Sequence, residues 1–333
     1  MPTKKMMVGA LGAGRMGRGI AISYALAGAE VCLIDIKGRT PQQRLEMREN
    51  LEKELTLDLG FLARLGIIAE GAISQIMSNI TLYASDSAVL NTIDFDIVYE
   101  GVPEHRDAKE AAFQWMSEHI APEVIIASTT STFLVDDLAE LISHPERFAN
   151  AHWLNPAHLM PLVEISKGKL TSDATITALR SNLKSIGKSP VVCGPTPGYI
   201  VPRIQALAMN EAARLVEEGA ASAADIDTAI RLGFGTRYAI LGMLEFIDWG
   251  GGDILYYASD YLSKNIDKDR YKVPDIIRDN MHNNRKGISD GKGFYDYSNM
   301  DVSAYREKRM SEFAGLLQHM QLMPKVADFA KAK

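Results

Sequence analysis

Short apolar runs alternate with stretches of helical periodicity along the first half of the chain. The runs are rich in Val, Ile and Leu, which is typical of strands that are buried on both faces of a sheet. They predict strands at Met6–Leu11, Glu30–Asp35, Ile80–Tyr83, Ile97–Tyr99, Val124–Ala127, Phe148–His152 and Leu162–Ile165. Strands that alternate with helices at this spacing indicate an α/β fold with a doubly wound, parallel sheet.

One helix in this half is long and charged. Its start is marked by Thr40-Pro41-Gln42-Gln43, with a threonine cap, a proline in the first turn and a glutamine three residues after the cap. The pattern continues to about Leu57, and an apolar stripe recurs every fourth residue at Met47, Leu51 and Leu55. We expect this stripe to pack against a neighbouring helix. The alternative is an arm that projects from the sheet and touches substrate.

The pattern changes near residue 190, where strand signals become rare and prolines crowd the chain at Pro190, Pro195, Pro197 and Pro202. Helical patterns then follow at Ile204–Glu218, Ala223–Arg231, Ile240–Ile247, Ile254–Lys264 and Pro274–His282. We therefore expect a first domain over residues 1–192 and an all-helical domain over residues 193–333. Residues 311–333 are expected to form a terminal helix or a frayed tail.

Composition narrows the class of protein without naming a function. The 333 residues suggest two domains of about 150 residues each. With 47% hydrophobic and 23% charged residues, the chain can build a large core, which excludes a disordered protein. The net charge of −6 lacks the basic footprint of a nucleic-acid-binding protein, so we expect no nucleic-acid partner.

The two cysteines and the N-terminal sequence indicate the compartment. Cys32 and Cys193 lie in apolar runs, which is typical of inert thiols, and two cysteines cannot form a disulfide framework. The first 14 residues lack the pattern of a signal peptide, and no apolar run reaches 18 residues. These features predict a cytoplasmic protein that has no membrane partner.

A glycine-rich turn, Gly12-Ala13-Gly14-Arg15-Met16-Gly17, follows the first expected strand and opens the first expected helix. This G-x-G-x-x-G context indicates a dinucleotide site of the Rossmann type. Gly12 permits the tight turn, Gly14 lets the backbone approach a pyrophosphate, and Gly17 lets helix and strand pack closely. Met16 lies in the same turn, and we expect it to contact the cofactor as well. The alternative is a glycine turn that binds no nucleotide.

Asp35 ends the second expected strand, 23 residues after Gly12. A carboxylate at this position accepts hydrogen bonds from a ribose 2′-hydroxyl and repels a 2′-phosphate. We therefore expect NAD rather than NADP as cofactor. Lys37 and Arg39 lie close enough in the sequence to weaken this preference.

His152 differs from the other six histidines because it ends an expected strand, where ligands bind in open α/β sheets. Glu164 follows 12 residues later inside an apolar run, where a carboxylate needs a partner. A His–Glu pair fixes the tautomer of the ring and prepares it to act as a general base. The alternative is a structural hydrogen bond at a strand end.

A cluster of hydroxyl side chains, Ser128-Thr129-Thr130-Ser131-Thr132, follows another expected strand. One interpretation is a polar turn that caps a helix beginning near Phe133. The other is that one hydroxyl donates a hydrogen bond to a substrate oxygen.

Taken together, these stretches resemble the 3-hydroxyacyl-CoA dehydrogenase family over most of the chain. The matching stretches are GAGRMGRGIA, EGVPEHRDAK, ASTTST, AHWLNPAHLMPLVEI, GPTPGYIVPR and GKGFYDY. The resemblance implies a Rossmann domain, a helical domain that forms a homodimer, and NAD-dependent oxidation of a 3-hydroxyl to a 3-keto group. It implies no metal ion.

The resemblance also implies roles for individual residues. His152 matches the catalytic histidine and Glu164 the acidic residue that orients it. Ser131 matches the serine that hydrogen-bonds the substrate, and Asn155 the asparagine near substrate and nicotinamide. The pair expected to contact the cofactor ribose is Glu104 and Lys109.

Two departures from the family bear on the substrate. Pro202 stands where the family has an asparagine that reaches the active site, so one hydrogen bond to substrate is lost or supplied by another group. The long helix has few cations for the phosphates of coenzyme A. Its stretch LEKELTLDLGFLARLGII contains only Lys53 and Arg64.

We therefore expect a 3-hydroxyacyl-CoA dehydrogenase, with two alternatives on the same fold. One is an NAD-dependent dehydrogenase of a small hydroxy acid or alcohol without CoA, as in carnitine, gulonate or pyridine-alcohol dehydrogenases. The other is a cofactor-binding structural protein that resembles a lens crystallin.

Overall fold

The computed structural model describes residues 5–327, and the chain divides into two compact units at Ala208 and Met209. The first unit contains an eight-stranded sheet. Its strands are β1 (Met7–Leu11), β2 (Glu30–Asp35), β3 (Ile80–Ala84), β4 (Ile97–Glu100), β5 (Ile125–Ser128), β6 (Phe148–Trp153), β7 (Leu162–Ser166) and β8 (Ser189–Cys193). Seven of these are the expected strands, with bounds that differ by a residue or two at most.

The strand order is β3-β2-β1-β4-β5-β6-β7-β8. This order reverses direction between β1 and β4, as in a doubly wound sheet, and the expected fold class is confirmed. Two features were not expected from the pattern. Strand β7 runs antiparallel to β6, while β8 is an additional strand that pairs parallel to β7. Pro190 weakens the strand signal of β8, and a proline is tolerated there because β8 lies at the sheet edge.

Alternate residues of the central strands enter two hydrophobic clusters on opposite faces of the sheet. Val31 and Leu33 of β2 belong to one cluster, whereas Cys32 and Ile34 belong to the other. Successive side chains of a strand point to opposite faces, so both faces of β2 must be apolar. Burial raises the pKa of the Cys32 thiol to about 12, which fits the expected inert cysteine.

Six α-helices alternate with these strands along the described part of the first unit. They are α1 (Arg15–Leu26), α2 (Pro41–Arg64), α3 (Ile73–Ser78), α4 (Arg106–His119), α5 (Val135–Ala139) and α6 (Asp173–Ser185). Helix α2 begins with the expected capping box, in which Thr40 and Gln43 each accept from the other's backbone N–H, at 3.3 and 3.0 Å. It runs seven residues beyond the expected end at Leu57. Its buried stripe consists of Leu51, Leu55, Leu59 and Leu62.

Beyond β8 the described chain is mainly helical. They are α7 (Val201–Glu217), α8 (Ala223–Ala229), a π-helical turn (Ile230–Gly235), α9 (Thr236–Tyr238), α10 (Met243–Gly250), α11 (Gly252–Asn265), α12 (Asp275–His282) and α13 (Val302–His319). Between residues 209 and 327 the sole β pairing is two isolated bridges that Lys292 makes with Gly287 and Asp296. Part of the segment expected as a terminal helix or tail, residues 328–333, lies outside the described residues.

None of the described helices combines the length and apolar composition needed to cross a membrane.

Candidate active site

The glycine-rich turn between β1 and α1 leaves no room for side chains at two of its glycines. Gly12 has a φ of +112°, and a Cβ there would lie 2.6 Å from the carbonyl oxygen of Gly101. A Cβ on Gly17 would lie 2.0 Å from the carbonyl oxygen of Gly12. The first glycine is therefore needed for the turn and for contact with the strand β4 loop. The third allows α1 to pack on the turn.

Gly14 differs from its neighbours because a Cβ there would meet no atom within 4 Å. It caps α1 without a side-chain hydrogen bond, and the first turn, which includes Met16, holds no acidic residue. The first N–H groups of α1 are thus open to an anion, and the helix dipole favours negative charge there. The turn fits the pyrophosphate of a dinucleotide.

Asp35, at the end of β2, borders a cleft of about 580 Å³ that is also lined by Arg44, Tyr83 and Asp86. Its carboxylate forms an ion pair with the guanidinium of Arg39. A carboxylate at the end of β2 is the group that the expected preference for NAD requires, and its contact with the cofactor ribose stays a prediction. Arg39, one of the two cations expected to weaken that preference, lies against this carboxylate.

His152 and Glu164 face each other across the β6–β7 hairpin. The antiparallel register pairs them directly, which explains their spacing of 12 residues. The Nδ1 atom of His152 lies 3.0 Å from Oε2 of Glu164. The structure therefore brings together the two residues that the sequence predicts as base and orienting acid, although their roles stay predictions.

Glu164 is fully buried, and its second oxygen accepts two backbone hydrogen bonds. The N–H groups of Ile200 and Val201, at the start of α7, each donate to Oε1 at 2.9 Å. Burial by itself would raise the pKa of Glu164, but the hydrogen bonds from His152 and from these N–H groups hold it below its ordinary value. The charged carboxylate can only accept a hydrogen bond from Nδ1, so a neutral imidazole carries its proton on Nδ1 and leaves Nε2 as an acceptor, the tautomer that a base requires.

The hydroxyl cluster after β5 is organised around Glu104. Its carboxylate accepts hydrogen bonds from Oγ1 of Thr130 at 2.9 Å and from Oγ of Ser131 at 3.1 Å. The Ser131 N–H also donates to it at 2.5 Å. Burial would raise the pKa of Glu104, but these hydrogen bonds and the cation of Lys109 hold it below its ordinary value. Ser131 and Glu104, predicted separately, therefore belong to one network.

Lys109 is almost completely buried, with 1% of its side chain exposed. Its Nζ lies 2.9 Å from both oxygens of Glu100 and 3.1 Å from Glu104. Glu100 also accepts from Oγ of Ser128 at 2.5 Å. Lys109 is therefore paired with two carboxylates, Glu100 and Glu104, and its contact with the cofactor ribose stays a prediction.

Asn155 is exposed on the loop after β6, and the structure adds a residue that holds this loop. The buried Nζ of Lys188 donates to the carbonyl oxygens of Ala157 at 2.6 Å and Met160 at 2.8 Å. Burial lowers the pKa of Lys188. The sequence carries no signal for this role, because Lys188 stands between Gly187 and Ser189, 31 positions from Ala157.

Pro202 is the second residue of α7. A proline in the first turn removes no intrahelical hydrogen bond, so the helix tolerates the residue that replaces the expected asparagine. Among the residues that the structure describes, no group of three His, Cys, Asp or Glu side chains could hold a metal ion.

A doubly wound sheet with an anion cradle at α1 and a buried His–Glu pair defines a dinucleotide-dependent dehydrogenase. Residues 7–196 match the family model described as the 3-hydroxyacyl-CoA dehydrogenase NAD-binding domain. Residues 198–297 match the C-terminal domain of the same family. The chain belongs to the 3-hydroxyacyl-CoA dehydrogenase family, whose members oxidise CH–OH groups with NAD.

Relatives that are about equally similar to this chain have names that refer to different substrates. The chain is 31% identical to hydroxyacyl-coenzyme A dehydrogenase, mitochondrial, of Sus scrofa, over 86% of this chain and 90% of the relative. It is 29% identical to 5-formyl-3-hydroxy-2-methylpyridine 4-carboxylate 5-dehydrogenase of Mesorhizobium japonicum, over 90% and 93%. The crystal structure of a 3-hydroxyacyl-CoA dehydrogenase from Archaeoglobus fulgidus matches with a TM-score of 0.73 at 33% identity, covering 96% and 100%.

Proposed function

We propose that this protein oxidises a 3-hydroxyacyl-CoA, of the 3-hydroxybutyryl-CoA type, to the 3-keto product, with His152 as general base. The observation that carries the proposal is the hydrogen bond of 3.0 Å between His152 and the buried carboxylate of Glu164. Because that bond fixes the proton on Nδ1, the bare Nε2 can take the proton of the substrate hydroxyl.

The residues around the pair divide the remaining tasks. Glu164 offsets the charge that the ring gains when it takes the proton, since its carboxylate stays ionised. Ser131 and Asn155 hydrogen-bond and orient the substrate. The N–H groups at the start of α1 and the Asp35 carboxylate hold the dinucleotide. Bound NAD supplies the hydride acceptor for the C3 hydrogen.

A second candidate, a small hydroxy acid or alcohol without CoA, is favoured by the outer face of α2. This face exposes the apolar side chains of Leu57, Phe61 and Leu65. The guanidinium of Arg64 lies over the Phe61 ring, 5.8 Å from its centroid. The phosphates of CoA would meet this apolar surface beside Arg64 instead of a row of cations. The pyridine carboxylate dehydrogenase among the relatives supports the same candidate.

A homodimer is also proposed, through the second unit. Large apolar side chains are exposed on its helices, among them Leu244, Ile254, Tyr257 and Tyr261. Exposed apolar surface of this kind marks interaction sites. Light scattering would give twice the 36.6 kDa of one chain, and a monomer mass would overturn the proposal.

A substrate panel tests the function directly. NADH formation is followed with 3-hydroxybutyryl-CoA, free 3-hydroxybutyrate, carnitine and gulonate. A kcat/KM highest for the CoA ester supports the leading proposal, and a preference for a free acid supports the second candidate. No turnover with any hydroxy substrate would favour a cofactor-binding structural protein.

Two variants test the base. His152→Ala should reduce kcat by about 100- to 10,000-fold, as expected when a general base is removed, while NADH binding survives. His319→Ala, which changes an exposed histidine at the end of α13, is the matched control and should keep the wild-type kcat. Turnover of His152→Ala near the wild-type level would overturn the assignment.

A further inference from the structure

The ring of Tyr199 lies against the proposed base. Its centroid is 4.7 Å from that of His152, and the two planes are only 15° from parallel. Tyr199 is 4% exposed, so the stacked pair is shielded from water. We propose that Tyr199 is a positioning residue, which holds the imidazole of His152 by stacking and ties it to the substrate-binding loop through its hydroxyl. This rests on the proposed role of His152.

Glu164 by itself restrains the imidazole incompletely. A hydrogen bond to Nδ1 fixes the tautomer and the distance, but the χ2 torsion of histidine is broad and allows the ring to tilt. A parallel aromatic face limits this tilt. With both partners in place, the direction of the Nε2 lone pair is fixed before substrate arrives, which is the kind of preorganisation that accelerates a proton transfer.

The Tyr199 hydroxyl adds a connection to the hydroxyl cluster. It donates a hydrogen bond of 2.7 Å to the carbonyl oxygen of Thr130. Burial raises the pKa of Tyr199 well above its ordinary value, so the phenol stays protonated and remains a donor at working pH. Because Ser131 follows Thr130 directly, one side chain links the proposed base to the proposed substrate serine.

The backbone around Tyr199 serves the same site. Gly198 and Tyr199 have φ values of +76° and +48°, and a bulky residue in the left-handed region is uncommon unless its surroundings hold it there. This turn aims the N–H groups of Ile200 and Val201 at Oε1 of Glu164. Successive N–H groups of such a turn form an anion-binding concavity. The turn therefore supplies the donors for Glu164 and the ring for His152.

The test compares Tyr199→Leu, Tyr199→Asn and Tyr199→Phe. Both Leu and Asn remove the aromatic face. Asn also tolerates the left-handed backbone at this position, so a loss of kcat in Tyr199→Asn is not explained by backbone strain. Each should lower kcat about 10- to 100-fold, because a small misplacement of a catalytic group has effects of this size. Substrate KM and the NADH dissociation constant should change less than about threefold, which a general structural defect would not allow. Tyr199→Phe keeps the ring and should recover most of kcat.

The double variant His152→Ala/Tyr199→Leu separates this proposal from the proposed function. If stacking acts through the base, the double variant is no slower than His152→Ala alone. Wild-type kcat in both Tyr199→Leu and Tyr199→Asn, with His152→Ala inactive, would overturn the positioning role and leave the function intact. An active His152→Ala variant would overturn the function itself.

Discussion

Two buried carboxylates, one in each unit, sit in cradles that are built from similar donors. Glu164 accepts the N–H groups of the consecutive residues Ile200 and Val201 on one oxygen, Oε1. Asp248 accepts those of Phe294 and Tyr295 on separate oxygens, Oδ1 at 3.0 Å and Oδ2 at 2.9 Å. Each also accepts one side-chain donor, which is Nδ1 of His152 for the first and the hydroxyl of Tyr297, at 3.2 Å, for the second. Both are almost inaccessible to water.

The side-chain donor separates the two sites. An imidazole that donates through Nδ1 still has Nε2 free, so the carboxylate behind it prepares a base. A phenol has a single O–H, and its donation to Asp248 occupies its only donor. The space around Asp248 is also closed, because a Cβ on Gly293 would lie only 2.1 Å from its Oδ1. Similar donors thus hold the carboxylate behind the proposed base in one unit and close a tight loop in the other.

The largest expected effect comes from matched amide substitutions in the two cradles. In Glu164→Gln the amide oxygen is drawn to the two N–H donors, so the amide NH₂ group faces His152. Nδ1 must then accept, the proton moves to Nε2, and the ring can no longer act as a base. We expect kcat to fall by about 100- to 10,000-fold.

Asp248→Asn is the control for this prediction. Each oxygen of Asp248 accepts a backbone N–H, so the NH₂ group of the amide must face Phe294 or Tyr295, and one of these two hydrogen bonds is lost. Steady-state kinetics should give a kcat within about twofold of wild type, with a loss in the free energy of unfolding of about 1–3 kcal/mol. Equal losses of kcat in both variants would show that the cradles do not differ as described.

A third buried carboxylate sharpens the comparison because its donor is a cation. Glu100 accepts from the Val102 N–H at 2.7 Å and from Nζ of Lys109. Lys109→Met leaves this charge unpaired and should lower the free energy of unfolding by about 3–5 kcal/mol in urea titrations. Lys308→Met, on the exposed face of α13, should be neutral. Unchanged stability together with weaker NADH binding would instead favour the cofactor contact that the family resemblance implies for Lys109.

The glycine beside Asp248 gives a smaller effect on stability. Gly293→Ala places a methyl group against the carboxylate and should destabilise by about 3 kcal/mol, near the upper end for overpacking. Gly315→Ala is the matched control, because it lies inside α13 with no atom within 4 Å of the added Cβ. The free energy of unfolding of Gly315→Ala should rise by about 0.5–1 kcal/mol. Thermal unfolding with equal midpoints for the two variants would contradict the tight loop.

Only part of this comparison can be predicted from the sequence. The strands and the His152–Glu164 pair could be predicted, because buried parallel strands and a carboxylate in an apolar run leave local signals. The N–H donors for Glu164 could not, since they lie 36 and 37 residues away in a turn whose conformation only the folded chain fixes. The stacking of Tyr199 could not be predicted for the same reason, although its P-G-Y-I-V segment is part of the family resemblance. Asp248 lies in a helix and pairs with a loop 46 residues on.

The smallest expected effect is the pH dependence of stability, which has opposite signs at the two cradles. The pKa of Glu164 is held below its ordinary value, so its stabilisation is complete above about pH 4–5 and is lost as the pH falls towards its folded value. Burial raises the pKa of Tyr297, so its stabilisation is complete below about pH 10 and is lost as the pH rises. Glu164→Gln should therefore flatten the acid limb of the Tm profile, and Tyr297→Phe the alkaline limb.

Each difference should be a few degrees, since about 1 kcal/mol shifts Tm by roughly 2–4 °C in a unit of 150–250 residues. In a Trp249→Phe background the remaining tryptophans, Trp115 and Trp153, both lie in the first unit, so their fluorescence follows the unfolding of that unit alone. If Glu164→Gln leaves the acid limb of this fluorescence-detected Tm profile unchanged, the cradle does not stabilise the ionised carboxylate of Glu164.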